Sequence, residues 1–162
     1  MKRTALIFML GATAAVAQSQ HDHQFIFPEK ILGFSLSETT ASHQQHIDGG
    51  DTLQYMNSQA VYVVDKDTLS IYRSRFDTIN AAEKMLKKMA DNTRGGKGGY
   101  ADFKQDTVLG VAINAAATRG KAHFFFQHER DIFWLTGSPL YCYAFLEAFL
   151  KSAGLANHEP TQ

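Results

Sequence analysis

Apolar positions along this chain change period several times, and each change marks an element. Leu53 and Tyr55 alternate with polar neighbours, as in a strand with one buried face. Two β-branched and aromatic runs follow, AVYVV at 60–64 and LSIYR at 69–73, with Asp65-Lys66-Asp67-Thr68 between them. Strand-forming runs around a short polar turn predict a β-hairpin. Upstream, Phe25-Ile26-Phe27-Pro28 is where ordered chain is expected to begin, and residues 31–42 supply a first strand that bends at Gly33. Residues 43–50 are polar and close on Gly49-Gly50, which reads as a turn.

At residues 80–91 the period becomes helical. Ala82, Met85, Leu86, Met89 and Ala90 recur at spacings of three and four, and Glu83, Lys84, Lys87, Lys88 and Asp91 take the other face. Asn80 and Glu83 form a capping-box pair, and Arg94-Gly95 ends the helix. The glycine-rich stretch 95–99 is then a flexible connection, followed by an aromatic loop at 100–103. Three strands in a meander are predicted after Thr107, at 108–117, 121–128 and 132–136, with turns at Arg119-Gly120 and Glu129-Arg130-Asp131. Ser138-Pro139 opens a last helix that runs to about Lys151 and stops near Gly154.

Phe124-Phe125-Phe126 and Ile132-Phe133-Trp134-Leu135 put large apolar side chains on both faces of their strands. Both faces therefore need cover, and two helices are at hand. The last helix, apolar nearly all round, suits the more buried position. The expected fold is α+β: an antiparallel sheet of about five or six strands with two helices, in the order β-β-β-α-β-β-β-α, as a three-layer α/β/α sandwich. Placing both helices on one face, with a partner subunit on the other, is the alternative. The order also invites an internal duplication, although no residue-level repeat joins the halves. In this arrangement the chain resembles the small α/β/α sandwiches of the PsbP kind, and the resemblance implies an exported or adaptor module without chemistry of its own.

The N-terminus bears on compartment. Lys2 and Arg3, an uncharged apolar stretch over residues 4–14, and Ala15-Val16-Ala17 have the three-part pattern of a cleavable secretory signal peptide over residues 1–17. The apolar stretch is shorter than the ~20 residues a membrane span needs. No cysteine follows the cleavage site for a lipid anchor, and no twin arginine is present. The expected organisation is then a His-rich leader at 18–24, one α+β domain at 25–156, and a polar tail at 157–162. Lys2 and Arg3 are two of the chain's 16 basic residues, and no acidic residue precedes position 18. After cleavage 14 basic residues face 16 acidic ones, a formal charge of −2. That balance favours neither nucleic acid nor an anionic membrane. Cys142 is the only cysteine, so no intramolecular disulfide forms, and its apolar neighbours point to a buried thiol.

Candidate chemistry is sparse. His21 and His23 form an HxH pair in the leader that suits copper, nickel or zinc. His43 and His46 lie in a loop-like stretch, and His123 and His128 fall on opposite strand faces, so neither pair converges on one ion. Arg73 and Arg75, with Arg119 and Lys121 on a later hairpin, are candidates for a patch that meets an anionic partner. No GxSxG elbow, HExxH pair or CxxC motif is present. The glycines at 95–99 follow a helix, whereas a phosphate-binding loop precedes one. No motif asks for a cofactor.

The function expected on these grounds is a small, exported, non-enzymatic binding or assembly module, periplasmic or secreted by a Sec-type signal. Its expected partner is another exported or envelope protein, with a homodimer as a further arrangement. The alternative is a small-ligand or metal carrier that uses the aromatic core or the histidines.

Overall fold

Leu32 and Gly33, both at positive φ, reverse the chain tightly and join the first two strands of one antiparallel sheet. A computed structural model describes residues 25–48 and 51–156. Residues 1–24, which hold the expected signal peptide and leader with His21 and His23, together with Gly49-Gly50 and residues 157–162, lie outside the described residues. The elements are β1 (Lys30–Ile31), β2 (Phe34–Asp48), β3 (Asp51–Val64), β4 (Asp67–Phe76), α1 (Ile79–Arg94), β5 (Ala101–Val108), β6 (Val111–Thr118), β7 (Lys121–His128), β8 (Asp131–Gly137) and α2 (Pro139–Ser152).

All eight strands form one curled, half-barrel sheet in the order β1-β2-β3-β4-β8-β7-β6-β5. Every neighbouring pair is antiparallel. It follows that β4 and β5 run parallel at a distance. The connection between them crosses the sheet with α1, which touches β4, β8, β7 and β5 on the way.

Alternation of side chains assigns each residue to a face. Tyr62, Ile71, Phe126, Phe133 and Leu135 share one face and pack under Phe145, Leu146 and Phe149 of α2, forming the main core. Phe76 and Ile132 point to the other face, where Ala82, Met85 and Met89 of α1 cover them. The Tyr62 hydroxyl donates to the Pro28 carbonyl at 2.8 Å and ties the segment before β1 to the sheet. Each half of the chain reads four strands and a helix. Yet a rotation that carries β4 onto antiparallel β8 keeps a helix on its own face, and here the helices lie on opposite faces. The halves share an order, not a rotational symmetry.

The expected three-layer sandwich on five or six strands is therefore corrected. The sheet has eight strands and curls, and each helix covers only part of it. Of the strand residues that pattern reading did not find, His43-Gln44-Gln45 and most of β5 are exposed, so no apolar period announces them. Residues 43–48, read as a turn, continue β2 in register with β3 as far as Asp48 opposite Asp51. β5, whose residues 101–103 were read as part of an aromatic loop and Val108 as the start of the next strand, is an edge strand whose residues are exposed apart from Phe103 and Val108. The α1 cap also moves: Thr78, not Asn80, accepts the Ala81 N–H at 3.1 Å. At α2, Ser138 caps and Pro139 begins the helix, as the dipeptide predicts.

Candidate functional site

β4 carries Leu69, Ile71 and Arg73 on one face, so a charged side chain stands in an apolar phase. Arg73 is 7% exposed. One of its terminal nitrogens, Nη2, donates to Asp131 Oδ2 at 2.9 Å, and its guanidinium carbon lies 5.0 Å from the centre of the Phe25 ring. Arg75, two residues on, donates to the same carboxylate oxygen at 3.4 Å. Arg73 Nε and Asp131 Oδ1 are buried without hydrogen-bond partners, a cost of ~1–3 kcal/mol for each such group.

This arginine lines a groove of about 420 Å³ outside the cover of α2. Phe25, Ile26, Phe27, Leu36 and Met56 make its apolar wall, and Thr39, Thr40 and Ser58 bring polar groups. Ile26 is 82% exposed and Met56 42%. The groove runs beside the outer edge of β2, because Thr39, Thr40 and Ala41 also line it. β1 pairs with β2 at Phe34 and Ser35, and the Leu36 N–H donates to the Glu29 carbonyl at 2.8 Å. Beyond the bulge at Ser37, from Glu38 to Asp48, β2 pairs with β3 on one side and, among the described residues, with no strand on the other.

A second cleft, of about 340 Å³, opens on the opposite face. It is lined by Tyr55, Asn57, Tyr72 and Ser74 from the sheet, Trp134 of β8, Met89 of α1 and Tyr100 just before β5. Trp134 is held on several sides. Its ring stacks on Phe125, its Nε1–H donates to His123 Nδ1 at 3.2 Å, and Tyr100 leans on it at 5.7 Å. Burial, with Lys121 as a smaller contribution, pushes the His123 imidazole below its usual range. Burial also raises the Tyr100 phenol. The Tyr72 hydroxyl accepts from Gln59 Nε2 at 3.2 Å, and Asn57 Oδ1 accepts the Ser74 hydroxyl at 3.2 Å.

The four residues proposed as a cationic patch fall in two places. Arg73 and Arg75 converge on Asp131 at the start of β8. Arg119 lies in the β6–β7 turn and Lys121 begins β7, at the opposite end of the β7–β8 hairpin from Asp131. His21 and His23 lie outside the described residues. His43 is exposed on β2, and no cluster of three metal-ligating side chains occurs among the described residues. Cys142 is fully buried, its thiol is pushed up to about 12, and it lies 3.8 Å from the Ala122 carbonyl. Gly95 caps the C-terminal end of α1, the end of a helix that repels anions. Asp131, the partner of Arg73, is the residue of this candidate site that pattern reading missed, since it was assigned to a turn. The available signal was Arg73 itself, a cation in phase with Leu69 and Ile71.

No helix among the described residues is long and apolar enough to cross a membrane. No family model matches the chain, and no curated protein matches it. The fold is similar to the crystal structure of a GTP binding regulator from Thermotoga maritima, with a TM-score of 0.51 at 13% identity over 78% of this chain and 82% of that one. At that identity the likeness concerns the fold alone.

Proposed function

We propose that this chain is an exported, non-enzymatic assembly module that receives an extended segment of another envelope protein along the outer edge of β2. One observation carries this reading: from Glu38 to Asp48 the edge has no strand partner among the described residues. Such edges are ordinarily blunted by lysine, proline or bulges. This span has neither lysine nor proline, its charged residues Glu38 and Asp48 stand near its two ends, and its one bulge lies at its start, between Leu36 and Glu38. The opposite edge, β5, carries Lys104 and a bulge between Ala101 and Lys104.

Strand addition takes its affinity from main-chain hydrogen bonds and its selectivity from pockets for alternate side chains. The groove beside β2 offers such a pocket, with Phe25, Leu36 and Met56 for an apolar side chain and Arg73 for an acceptor. The export pattern at residues 1–17 supports placing the partner outside the cytoplasm. The GTP binding in the neighbour's description is not carried over, because the glycines at 95–99 follow the negative end of α1.

A photoreactive amino acid at Ser42, with a control at Lys104, tests the proposal in the envelope of the source cell. Adducts to another protein are expected from Ser42 and not from Lys104. Thr40→Pro and Ala41→Pro are adjacent, so one removes an N–H that faces β3 and the other an outward one. The outward variant is expected to lose the adduct and keep its melting temperature. Equal labelling from both edges, or adducts only between copies of this chain, would overturn the proposal.

A further inference from the structure

We infer that the aromatic cleft on the α1 face is a binding site for a neutral sugar ring, independent of the β2 edge. The chemistry of its lining selects the ligand class. Tyr55, Tyr72, Tyr100 and Trp134 border the cleft, and none of the residues that line it is charged. A phosphate or carboxylate would meet electron-rich ring faces with no counter-charge, and a quaternary ammonium, though attracted to those faces, would leave the hydrogen-bonding groups of Asn57, Ser74 and Tyr72 unpaired, each at a cost in free energy. A neutral ligand avoids that cost.

The faces of aromatic rings are electron-rich, and the C–H face of a pyranose is weakly positive, so the two stack. The sugar's hydroxyls then need polar partners at the ring edges, because an unpaired buried hydroxyl is costly. Asn57, Ser74 and the Tyr72 hydroxyl supply them. The Asn57–Ser74 and Gln59–Tyr72 hydrogen bonds already orient these groups. At about 340 Å³ the cleft lies at the small end of ligand sites, which fits a short saccharide. Trp134 is also preset, since Phe125 stacks on it and His123 accepts its N–H, so little side-chain freedom is lost on binding.

Trp134 is the only tryptophan in the chain, so intrinsic fluorescence reads the cleft directly. The test titrates the full chain with neutral oligosaccharides of glucose, galactose and N-acetylglucosamine, and separately with indole and guanosine monophosphate. A saturable change in emission with at least one saccharide is expected, weakened about tenfold by Tyr100→Ala and by Asn57→Ala. Isothermal titration of the same variants confirms the loss, and their urea midpoints establish that both are folded. Saturation by indole or the nucleotide without any saccharide response overturns the inference. So does a saccharide response that neither variant weakens, or no response to any saccharide.

Discussion

Trp134 lies flat against Phe125 across the β7–β8 ladder, with ring centres 4.6 Å apart and only 6° between the ring planes. The stack supports one wall of the aromatic cleft and fills the sheet surface beneath it. Phe125→Ala is expected to lower unfolding free energy by about 3–5 kcal/mol, the usual range for a buried phenylalanine. Urea titration measures the loss, and Trp134 emission should move to the red as water reaches the ring. A loss below ~1 kcal/mol would show that the stack contributes little to the fold.

The Arg73–Asp131 pair has an unequal response to its two kinds of change. Asp131→Ala strands a buried guanidinium and should cost about 3–5 kcal/mol. Arg73→Met with Asp131→Leu removes both charges, and should recover most of that loss. Chemical denaturation of the three proteins gives the comparison. A double variant as unstable as Asp131→Ala would mean that the pair also positions neighbouring groups.

His123 makes stability fall on the acid side. Its Nδ1 accepts the Trp134 N–H, so the folded state needs that nitrogen unprotonated, and burial adds to the preference. The unfolded imidazole titrates near 6.5 and the folded one lower, so the unfolded state binds more protons between the two values. This contribution is complete above pH 6.5 and is lost as the pH falls through 6.5 toward the folded value. Stability measured from pH 8 to pH 5 should decline less in His123→Gln than in the unchanged chain. Identical slopes would remove His123 from the account.

Cys142 gives a direct gauge of opening. Its thiol is fully buried and pushed up to about 12 by burial, so neither access nor thiolate favours reaction. At pH 8 a thiol-specific chromogenic disulfide should label it only as fast as the α2 face opens, and at once in denaturant. Rapid labelling of the folded chain would show that α2 separates from the sheet far more readily than its packing implies.

Elements that bury a face were legible in the sequence. The β3–β4 hairpin, the stripe of α1, the β6–β8 meander and the Ser138-Pro139 start of α2 each leave an apolar period or a capping residue. Weakly buried stretches left no such trace, which is why the exposed residues 43–45 read as part of a turn and residues 101–103 of β5 as part of a loop. The candidate sites were harder to read for another reason. Arg73 meets Asp131 across 58 residues of sequence, and Tyr100 reaches Trp134 from a different segment. Spacing along the chain carries no information about a meeting of that kind.

The strand order has a consequence for how this chain reaches its native state. Among the described residues, six of the seven strand pairings join neighbours in sequence, and β4–β8 alone joins strands that are distant. Entropy of long-range loop closure therefore falls mainly on one seam. Four strands on each side can zip as local hairpins before the two halves meet there. Residues 95–100 lie outside that seam and outside every strand, so a chain cut within them is expected to reassemble from its two pieces along β4 and β8.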